Sequence, residues 1–242
     1  MSAIEIKELT KRYKDLTAVD RLSLTIGEGE LFSLLGVNGA GKTTTIKMLS
    51  CLTRPSGGDA LLNGRSILHD SDDVKSIIAV SPQETAVAPL LSVRENLALM
   101  AGIHGMNKAE TAAKIGELSE KLGLESVLSR KAGKLSGGWQ RRLSIAMALI
   151  SDPEILFLDE PTLGLDVLAR SELWDLIRSL KGRMTIVLTT HYMEEAEALS
   201  DRTGIMKSGR LIAVGTPSEI KTRSGTERFE EAFVKLVKEA EG

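Results

Sequence analysis

The chain has 242 residues, of which 42% are apolar and 26% charged, which suits a globular protein that buries a sizeable core. The net charge of −2 and the scattered Lys and Arg residues form no basic patch, so no nucleic-acid partner is expected. One cysteine, Cys51, excludes an internal disulfide, and no stretch is apolar enough to cross a bilayer, so any membrane association would come through a partner.

The N-terminal segment has the alternation of a β-sheet with one buried face. Apolar and polar side chains alternate through the first thirty residues, which is the period of a strand. Asn63-Gly64 follows an apolar run and is typical of a tight hairpin turn. The sequence therefore predicts an antiparallel β layer near the N-terminus. Its inward positions are Ile4, Ile6, Leu22, Leu24 and Ile26.

A phosphate-binding loop follows an apolar strand at residues 31–35 and precedes a helix pattern that begins near Lys42. The spacing G-x-x-x-x-G-K-[ST] lets the backbone wrap a polyphosphate, with N–H groups pointing inward and the positive helix end close by. Lys42 would reach the β- and γ-phosphates, and Thr43 would ligate Mg²⁺. The sequence therefore predicts a nucleoside triphosphate site. Its residues are Gly36, Asn38, Gly39, Ala40, Gly41, Lys42, Thr43 and Thr44.

Three apolar runs without alternation predict the core of an α/β fold. Residues 77–80, 155–158 and 185–189 are short and apolar on both faces, as expected for parallel strands covered on both sides. The last of these runs is followed by His191. Because a lone histidine is more often structural than catalytic, the residue by itself leaves both roles open.

Helical signals dominate the segment between the first two runs. Ser92 with Glu95, and Asn107 with Glu110, form capping boxes, which predict a helical insertion. Beyond residue 215, a capped short helix and a last amphipathic helix are expected. The apolar stripe of the last helix packs on the body or binds a partner, and the sequence leaves both open. The stripe consists of Phe229, Phe233, Leu236 and Val237.

A second anion-binding helix start is predicted at residues 135–142. Ser136, Gly137 and Gly138 precede a helical pattern, and the N-terminus of such a helix suits an anion. Taken alone, the segment could equally be an ordinary capped helix start. Together with the phosphate-binding loop, it gives the chain two anion-binding helix ends far apart in sequence.

Two adjacent carboxylates end the strand predicted at residues 155–158. Ligands of α/β folds collect at the carboxyl ends of strands, where Asp159 and Glu160 would lie. Asp159 is suited to holding Mg²⁺ opposite Thr43, and Glu160 is suited to accepting a proton from an attacking water. The alternative is a solvated loop after a strand.

The order of these motifs resembles the nucleotide-binding subunit of an ATP-binding-cassette (ABC) transporter along nearly the whole chain. The resemblance implies an α/β fold of the P-loop NTPase class, with a mostly parallel core sheet, an antiparallel β subdomain and an inserted α-helical subdomain. The core with the β subdomain would comprise residues 1–88 and 152–215, the helical subdomain 89–151 and a C-terminal helical extension 216–242. The motifs are residues 36–44, 81–84, 135–140, 159–160, 164–166 and 189–192.

The resemblance also implies roles for individual residues. Tyr13 matches the aromatic residue that stacks on adenine, although a core tyrosine is the alternative. Gln83 is similar to the residue that touches Mg²⁺ and the water, and otherwise would be an exposed amide. His191 would hydrogen-bond the γ-phosphate and orient the water. Asp166 is similar to the aspartate that links the two sites of a dimer. The implied catalytic residues are Glu160, His191, Gln83 and Lys42, and the implied Mg²⁺ ligands are Thr43, Gln83 and Asp159.

ABC cassettes of this kind work as head-to-tail pairs, so the resemblance implies a homodimer or a heterodimer with another cassette. Residues 136–138 of one cassette would contact the γ-phosphate held by the other. Hydrolysis of ATP with Mg²⁺ would then drive a membrane permease on separate chains, and the subunit would lie in the cytoplasm at the inner face of the cell membrane. Residues 191–197 and 209–217 look like drug, sodium or ABC-2-type exporter cassettes, which favours export.

Two other functions are less well supported by the sequence. An ABC ATPase that acts on ribosomes or DNA without a permease is the alternative reading, but such relatives usually carry tandem cassettes or a long coiled coil. A P-loop kinase or GTPase is the other alternative, but the signature at residues 135–140 has no role in such enzymes, and a guanine-reading Asn-Lys-x-Asp motif is absent.

Trp139 departs from the small or polar residue usual in that signature, and we expect it to pack against the partner or the helical subdomain.

Overall fold

The computed structural model describes residues 1–240, which fold into two β-sheets surrounded by helices. The strands, in chain order, are β1 (Ser2–Tyr13), β2 (Leu16–Gly27), β3 (Leu31–Leu35), β4 (Gly57–Leu62), β5 (Arg65–Ser66), β6 (Ile78–Ser81), β7 (Ile155–Asp159), β8 (Thr185–Thr190), β9 (Arg202–Lys207) and β10 (Arg210–Gly215). The helices are α1 (Lys42–Leu49), α2 (Ser71–Ile77), α3 (Val93–Ile103), α4 (Lys108–Leu122), α5 (Gly137–Ala148), α6 (Val167–Leu180), α7 (Met193–Leu199), α8 (Pro217–Ser224) and α9 (Phe229–Glu239).

The larger sheet has the strand order β10-β9-β3-β8-β7-β6, and its pairs are parallel except for the antiparallel edge pair β9–β10. Every residue of β3, β7 and β8 is buried, which is the burial expected for parallel strands covered on both faces. The α/β fold predicted from the uninterrupted apolar runs is therefore confirmed. The strand predicted at 77–80 begins one residue later, because Ile77 ends α2.

The smaller sheet is antiparallel, with the order β2-β1-β4-β5. The hairpin predicted at Asn63-Gly64 joins β4 to β5, and both turn residues have positive φ, 46° and 79°. Two consecutive positive φ angles are the requirement of the type I′ turn that suits twisted hairpins, and Asn-Gly meets it at low cost. The β layer predicted from the alternation is thus present.

Helices α3, α4 and α5 form a helical lobe between β6 and β7. Ser92 caps α3 and Asn107 caps α4, each in a complete capping box, and α4 ends at Gly123 with φ 63°. Such caps satisfy the backbone groups left free at helix ends. The boundaries proposed for the subdomains stay a prediction.

The two faces of the larger sheet pack into different cores. Alternate residues of one strand point to opposite faces, so Leu156 and Leu158 of β7 pack with the helical lobe, whereas Ile155 and Phe157 pack with the antiparallel sheet and α1. The helical lobe therefore has no separate core. It shares one core with the sheet whose strand ends carry the predicted site.

A third, smaller cluster holds the C-terminal helices. Phe229, Phe233 and Leu236 of α9 are buried with Leu35 and Ile205 of the core sheet, and Val237 is partly buried beside them. Of the two options that the sequence left open for the apolar stripe, packing on the body is the one observed.

The packing of α9 predicts a large cost for removing its central aromatic ring. Phe233→Ala should lower the free energy of unfolding by about 3–5 kcal/mol, because it removes a buried ring and leaves a cavity. Val234→Ala, at the adjacent exposed position, should change it by less than about 0.5 kcal/mol. Chemical denaturation of both variants measures the difference, and equal, small effects would show that α9 is not docked.

Candidate nucleotide-binding site

An open pocket of about 690 Å³ lies at the carboxyl ends of β3 and β8. The order of the sheet makes β3 and β8 neighbours, and β7 lies on the other side of β8. The loops that leave these strands therefore meet at one edge, which is where α/β sheets bind ligands. The lining residues are Tyr13, Leu16, Thr17, Ala18, Asn38, Gly39, Ala40, Gly41, Lys42, Thr43, Thr44, Gln83, Glu160, Leu163, His191 and Ser208.

Two glycines of the phosphate-binding loop occupy positions where a side chain cannot fit. A Cβ on Gly36 would lie 2.5 Å from the backbone oxygen of Met206, and a Cβ on Gly41 would lie 2.5 Å from that of Ala18. Gly41, which also has φ 104°, is the residue immediately before α1. The loop thus packs tightly against neighbouring backbone while its N–H groups at the start of α1 remain available to an anion.

The Lys42 side chain is buried at the centre of the pocket. Its ammonium lies 3.1 Å from Glu160 Oε1, and both side chains are 5% exposed. It also donates hydrogen bonds to the backbone oxygens of Gly36, at 2.7 Å, and Val37, at 3.3 Å. Lys42 is therefore held by the loop that carries it and by the carboxylate at the end of β7.

Asp159 and Thr43 face each other as the sequence predicted. The Thr43 hydroxyl donates to Asp159 Oδ1 at 3.2 Å, and the Thr189 hydroxyl donates to the same oxygen. Thr189 belongs to the neighbouring strand, so the orientation of Asp159 is fixed from β8. The arrangement gathers a hydroxyl and a carboxylate, the oxygen ligands that Mg²⁺ prefers.

Glu160 lies just beyond β7 in a left-handed backbone conformation, with φ 49°. Its N–H donates to the backbone oxygen of Thr189 at 3.1 Å, which holds this conformation against β8. Glu160 Oε2 lies 2.7 Å from His191 Nδ1. Unfavourable backbone conformations of non-glycine residues concentrate at functional sites, and here the conformation brings the carboxylate to both Lys42 and His191.

Gln83 and Tyr13 line the pocket from two other directions. Gln83 follows β6, at the entrance to the helical lobe, and Tyr13 ends β1 in the antiparallel sheet. Tyr13 is not a core residue, since 45% of it is exposed and the Lys11 ammonium lies 4.9 Å from its ring centre. An exposed ring at the rim of a nucleotide pocket is available for stacking.

The structure does not bring Ser136, Gly137, Gly138 or Asp166 into this pocket. Ser136 and Gly137 are exposed at the start of α5, and Asp166 is the exposed N-cap of α6, where it accepts a hydrogen bond from the Ala169 N–H at 3.0 Å. The two segments are neighbours, because a Cβ on Gly138 would lie 3.0 Å from Ala169 Cβ. They form a second surface, which we call the signature face and define as residues 136–138 and 166–168.

Trp139 packs inside its own chain. The indole is partly buried against the core that the helical lobe shares with the sheet, and the Arg142 guanidinium lies 4.8 Å from its ring centre. Of the two options given for Trp139 from the sequence, the structure shows packing on the helical lobe.

Two buried charged residues near the pocket had no signal in the sequence pattern. Arg141 of α5 donates to the backbone oxygens of Pro82 and Gln83. Glu195 of α7 is fully buried and accepts a hydrogen bond from Trp174 Nε1 at 3.1 Å. Burial raises the pKa of Glu195, and the nearby charge of Glu160 also raises it. Hydrogen bonds to the carboxyl lower the pKa, but the net shift is upward.

The sheet order, phosphate-binding loop, paired carboxylates and separate signature face define a P-loop nucleotide-binding cassette. A family described as ABC transporter matches residues 19–163, which is more than half of the sequence. The chain belongs to the ABC transporter family, as the resemblance implied.

Individual relatives and solved structures agree with this assignment. The chain is 40% identical over 243 residues to "Probable multidrug ABC transporter ATP-binding protein YbhF" of Escherichia coli (strain K12), covering 98% of this chain and 42% of that protein. It is 44% identical over 218 residues to "Nod factor export ATP-binding protein I" of Burkholderia pseudomallei (strain 1710b), covering 90% of this chain and 72% of that protein.

Among solved structures, the chain is similar to the "Dimeric structure of a post-hydrolysis state of the ATP-binding cassette MJ0796 bound to ADP and Pi". The TM-score is 0.78 at 28% identity, over 88% of this chain and 98% of that one. This similarity, together with the two relatives, supports the predicted fold of an ABC ATPase cassette. The chain spans less than half the length of the YbhF protein.

The buried carboxyl of Glu195 predicts a pH-dependent difference in stability. Folding raises the pKa of Glu195, so between the ordinary carboxyl pKa and the raised pKa the folded state binds more protons than the unfolded state. The free energy of unfolding therefore falls as pH rises through this range. Glu195→Gln removes this titration and can keep the acceptor for Trp174. The variant should therefore be more stable than the original chain at neutral pH, with a gap that narrows as pH falls.

Urea denaturation at several pH values measures this gap. Glu120→Gln, at an exposed position of α4, is the matched control and should show no such trend. A constant or widening gap for Glu195→Gln on acidification would contradict the expected protonation of the buried carboxyl.

Proposed function

We propose that this chain is the ATP-binding and ATP-hydrolysing subunit of a membrane exporter, and that it works as a head-to-tail dimer. The observation that carries the proposal is the contact of Glu160 with both Lys42 and His191 inside the phosphate-binding pocket. A phosphate-binding lysine, a carboxylate and an imidazole then meet where the γ-phosphate and an attacking water would lie. A phosphate-binding lysine and a residue that accepts a proton from the nucleophile or orients it are recurring parts of phosphoryl-transfer sites.

The residues of the pocket would act in sequence. The N–H groups of Gly39 and of residues 41–44, with the Lys42 ammonium, would bind the phosphates, so that Lys42 turns from Glu160 towards the more highly charged ligand. Glu160 would then be free to accept a proton from the water. His191 would keep one ring nitrogen on Glu160 and present the other to the γ-phosphate. Tyr13 would stack on the adenine ring.

The residues around Asp159 fit a magnesium ion. Its carboxylate and the Thr43 hydroxyl lie together, with Thr189 fixing the carboxylate, and Gln83 brings an amide oxygen to the same pocket. Mg²⁺ is usually held by one or two carboxylates together with substrate phosphates. When bound, the ion would neutralise charge on the phosphates, and Thr43, Asp159 and Gln83 would hold it.

The exposed signature face supports a dimer in which each pocket is completed by a second copy. Ser136 is the N-cap of α5, and its hydroxyl forms no hydrogen bond to the backbone N–H groups of the first turn. Residues 136–138 are therefore available to an anion. Val167 and Leu168 of the same face are largely exposed, at 78% and 77%. Exposed apolar groups beside a helix N-terminus suit burial against another protein surface. Since one chain carries both the pocket and this face, a second copy is sufficient, and Asp166 would lie between the two sites.

The helical lobe supports a membrane partner. Leu99 and Ile103, one helical turn apart on α3, are 48% and 68% exposed, and Leu90 in the preceding loop is also exposed. In residues 1–240, no helix is both long and apolar enough to cross a bilayer. We infer that this apolar patch, defined as Leu99 and Ile103, docks a permease on another chain, which would place the subunit at the inner face of the cell membrane. The words "export" and "multidrug" in the names of the two relatives support export.

Replacing the proposed general base tests the reaction. Glu160→Gln should lower kcat for MgATP hydrolysis by about 10²–10⁴-fold, because an amide cannot accept the proton. ATP binding should persist, since the phosphate-binding loop is unchanged. Steady-state turnover and equilibrium binding of ATP measure the two effects. Glu117→Gln, at a surface ion pair of α4, is the control and should match the unaltered chain, and equal turnover of all three proteins would contradict the role of Glu160.

If the apolar patch docks a membrane protein, charged substitutions in the patch should prevent that protein from binding. Affinity-tagged chain recovered from detergent-solubilised cells of its own source should bring down an integral membrane protein. Leu99→Glu with Ile103→Glu should abolish this recovery, because docking would bury two unpaired charges. Val234→Glu, at an exposed apolar position of α9, should not. Recovery of ribosomes in place of a membrane protein would favour the alternative function in translation.

A further inference from the structure

Three consecutive residues of α5 tie three separate segments to this one helix. The Gln140 amide donates to the backbone oxygen of Ala132 at 3.1 Å, and Arg142 donates to the backbone oxygen of Leu122 at 3.2 Å. Between them, Arg141 reaches in a third direction, towards the loop that carries Gln83. Helix α5 therefore connects these three segments, and residues 136–138 lie at its exposed N-terminal end.

The guanidinium of Arg141 donates two hydrogen bonds to adjacent backbone oxygens of the loop that carries Gln83. Its Nη1 donates to the backbone oxygen of Pro82 at 2.6 Å and its Nη2 to that of Gln83 at 2.5 Å. Arg141 is 4% exposed, and the two hydrogen bonds are partly buried. A planar guanidinium with two parallel donors fixes the direction of adjacent carbonyl groups better than a single donor can. The peptide at Gln83 is thus held with its oxygen towards α5, while the residue lines the nucleotide pocket.

A second contact one turn along α5 strengthens the same junction. The hydroxyls of Ser144 and Ser81 lie 3.0 Å apart, and both residues are buried. Ser81 ends β6, immediately before Pro82 and Gln83. Arg141 and Ser144 lie on one face of α5, because residues three apart are neighbours on a helix. The end of β6 and the following loop are therefore attached to α5 at successive positions.

We propose that Arg141 is a positioning residue that fixes Gln83 in the nucleotide pocket and makes its position follow that of α5. The proposal rests on the proposed function, since Gln83 acts on this chain's own triphosphate and the N-terminus of α5 meets the partner's. A movement of α5 on binding the partner's nucleotide would then be transmitted to Gln83 through two hydrogen bonds. The two sites of the dimer are coupled inside each chain by this side chain.

Hydrogen exchange tests the positioning without relying on turnover. Arg141→Gln should speed exchange of the backbone amides of residues 83–88, because the loop loses both of its hydrogen bonds to the guanidinium. Arg130→Gln is the matched control. Arg130 also donates to a backbone oxygen, that of Lys134 at 3.1 Å, but it is exposed and outside the pocket. Unchanged exchange at 83–88 in Arg141→Gln would overturn the proposal.

Steady-state kinetics then test the consequence for Gln83. Arg141→Gln should lower kcat for MgATP by on the order of 10- to 100-fold, because small displacements of a catalytic group are costly, and KM for ATP should stay close to its original value. In a Gln83→Ala background, Arg141→Gln should cause no further loss, since Arg141 acts through Gln83. Arg130→Gln should leave kcat unchanged. Independent, multiplying losses from Gln83→Ala and Arg141→Gln would overturn the proposal.

Two milder variants keep the test decisive if Arg141→Gln does not fold. Arg141→Lys keeps the positive charge without the planar fork and should give an intermediate kcat and intermediate exchange at 83–88. Ser144→Ala should shift both in the same direction to a smaller extent. Values identical to the unaltered chain in Arg141→Lys would overturn the proposal. Absence of ATP turnover in the unaltered chain would instead contradict the proposed function, and the exchange result would still decide the role of Arg141.

Discussion

The buried ion pair between Lys42 and Glu160 is the interaction that organises the site before phosphates bind. Removing two charges from water is costly, and their attraction compensates only when the geometry is good and the remaining donors and acceptors are satisfied. Here the ammonium also has two backbone oxygens and the carboxylate has His191. The arrangement needs the phosphate-binding loop after β3, Glu160 after β7 and His191 after β8 at the same sheet edge, and the strand order supplies this.

The same constraint keeps the signature face out of the pocket of its own chain. Residues that must reach Lys42 come from adjacent strand ends, whereas the signature face is carried by α5 and α6 and lies outside the pocket lining. A triphosphate bound by the loop would compete with Glu160 for Lys42 and release the carboxylate for proton transfer. The partner's signature face would then close over the phosphates. Ligand binding would thus both free the general base and create the dimer interface.

Local signals in the sequence predicted much of the fold and the phosphate-binding loop, and the family resemblance supplied Tyr13, Gln83 and His191 of the pocket. The type I′ hairpin at Asn63-Gly64 and the capping boxes of α3 and α4 depend on neighbouring residues, so spacing alone identifies them. The family resemblance implied that Lys42, Glu160 and His191 belong to one site, whereas the ion pair between Lys42 and Glu160 was not predicted. The roles of Arg141 and Glu195 could not be predicted, because they depend on contacts between distant segments. The left-handed backbone of Glu160 likewise results from its bonds to Thr189 on another strand.

Analytical ultracentrifugation of the Glu160→Gln chain with saturating MgATP tests the composite pocket most directly. Slow hydrolysis keeps the triphosphate in place, so we expect a dimer with MgATP and a monomer with MgADP. The same chain carrying Ser136→Arg should remain monomeric with MgATP, because the added side chain obstructs an exposed position of the signature face. A Glu160→Gln chain that stays monomeric with MgATP, or that dimerises equally well with Ser136→Arg, would contradict a pocket completed by a second copy.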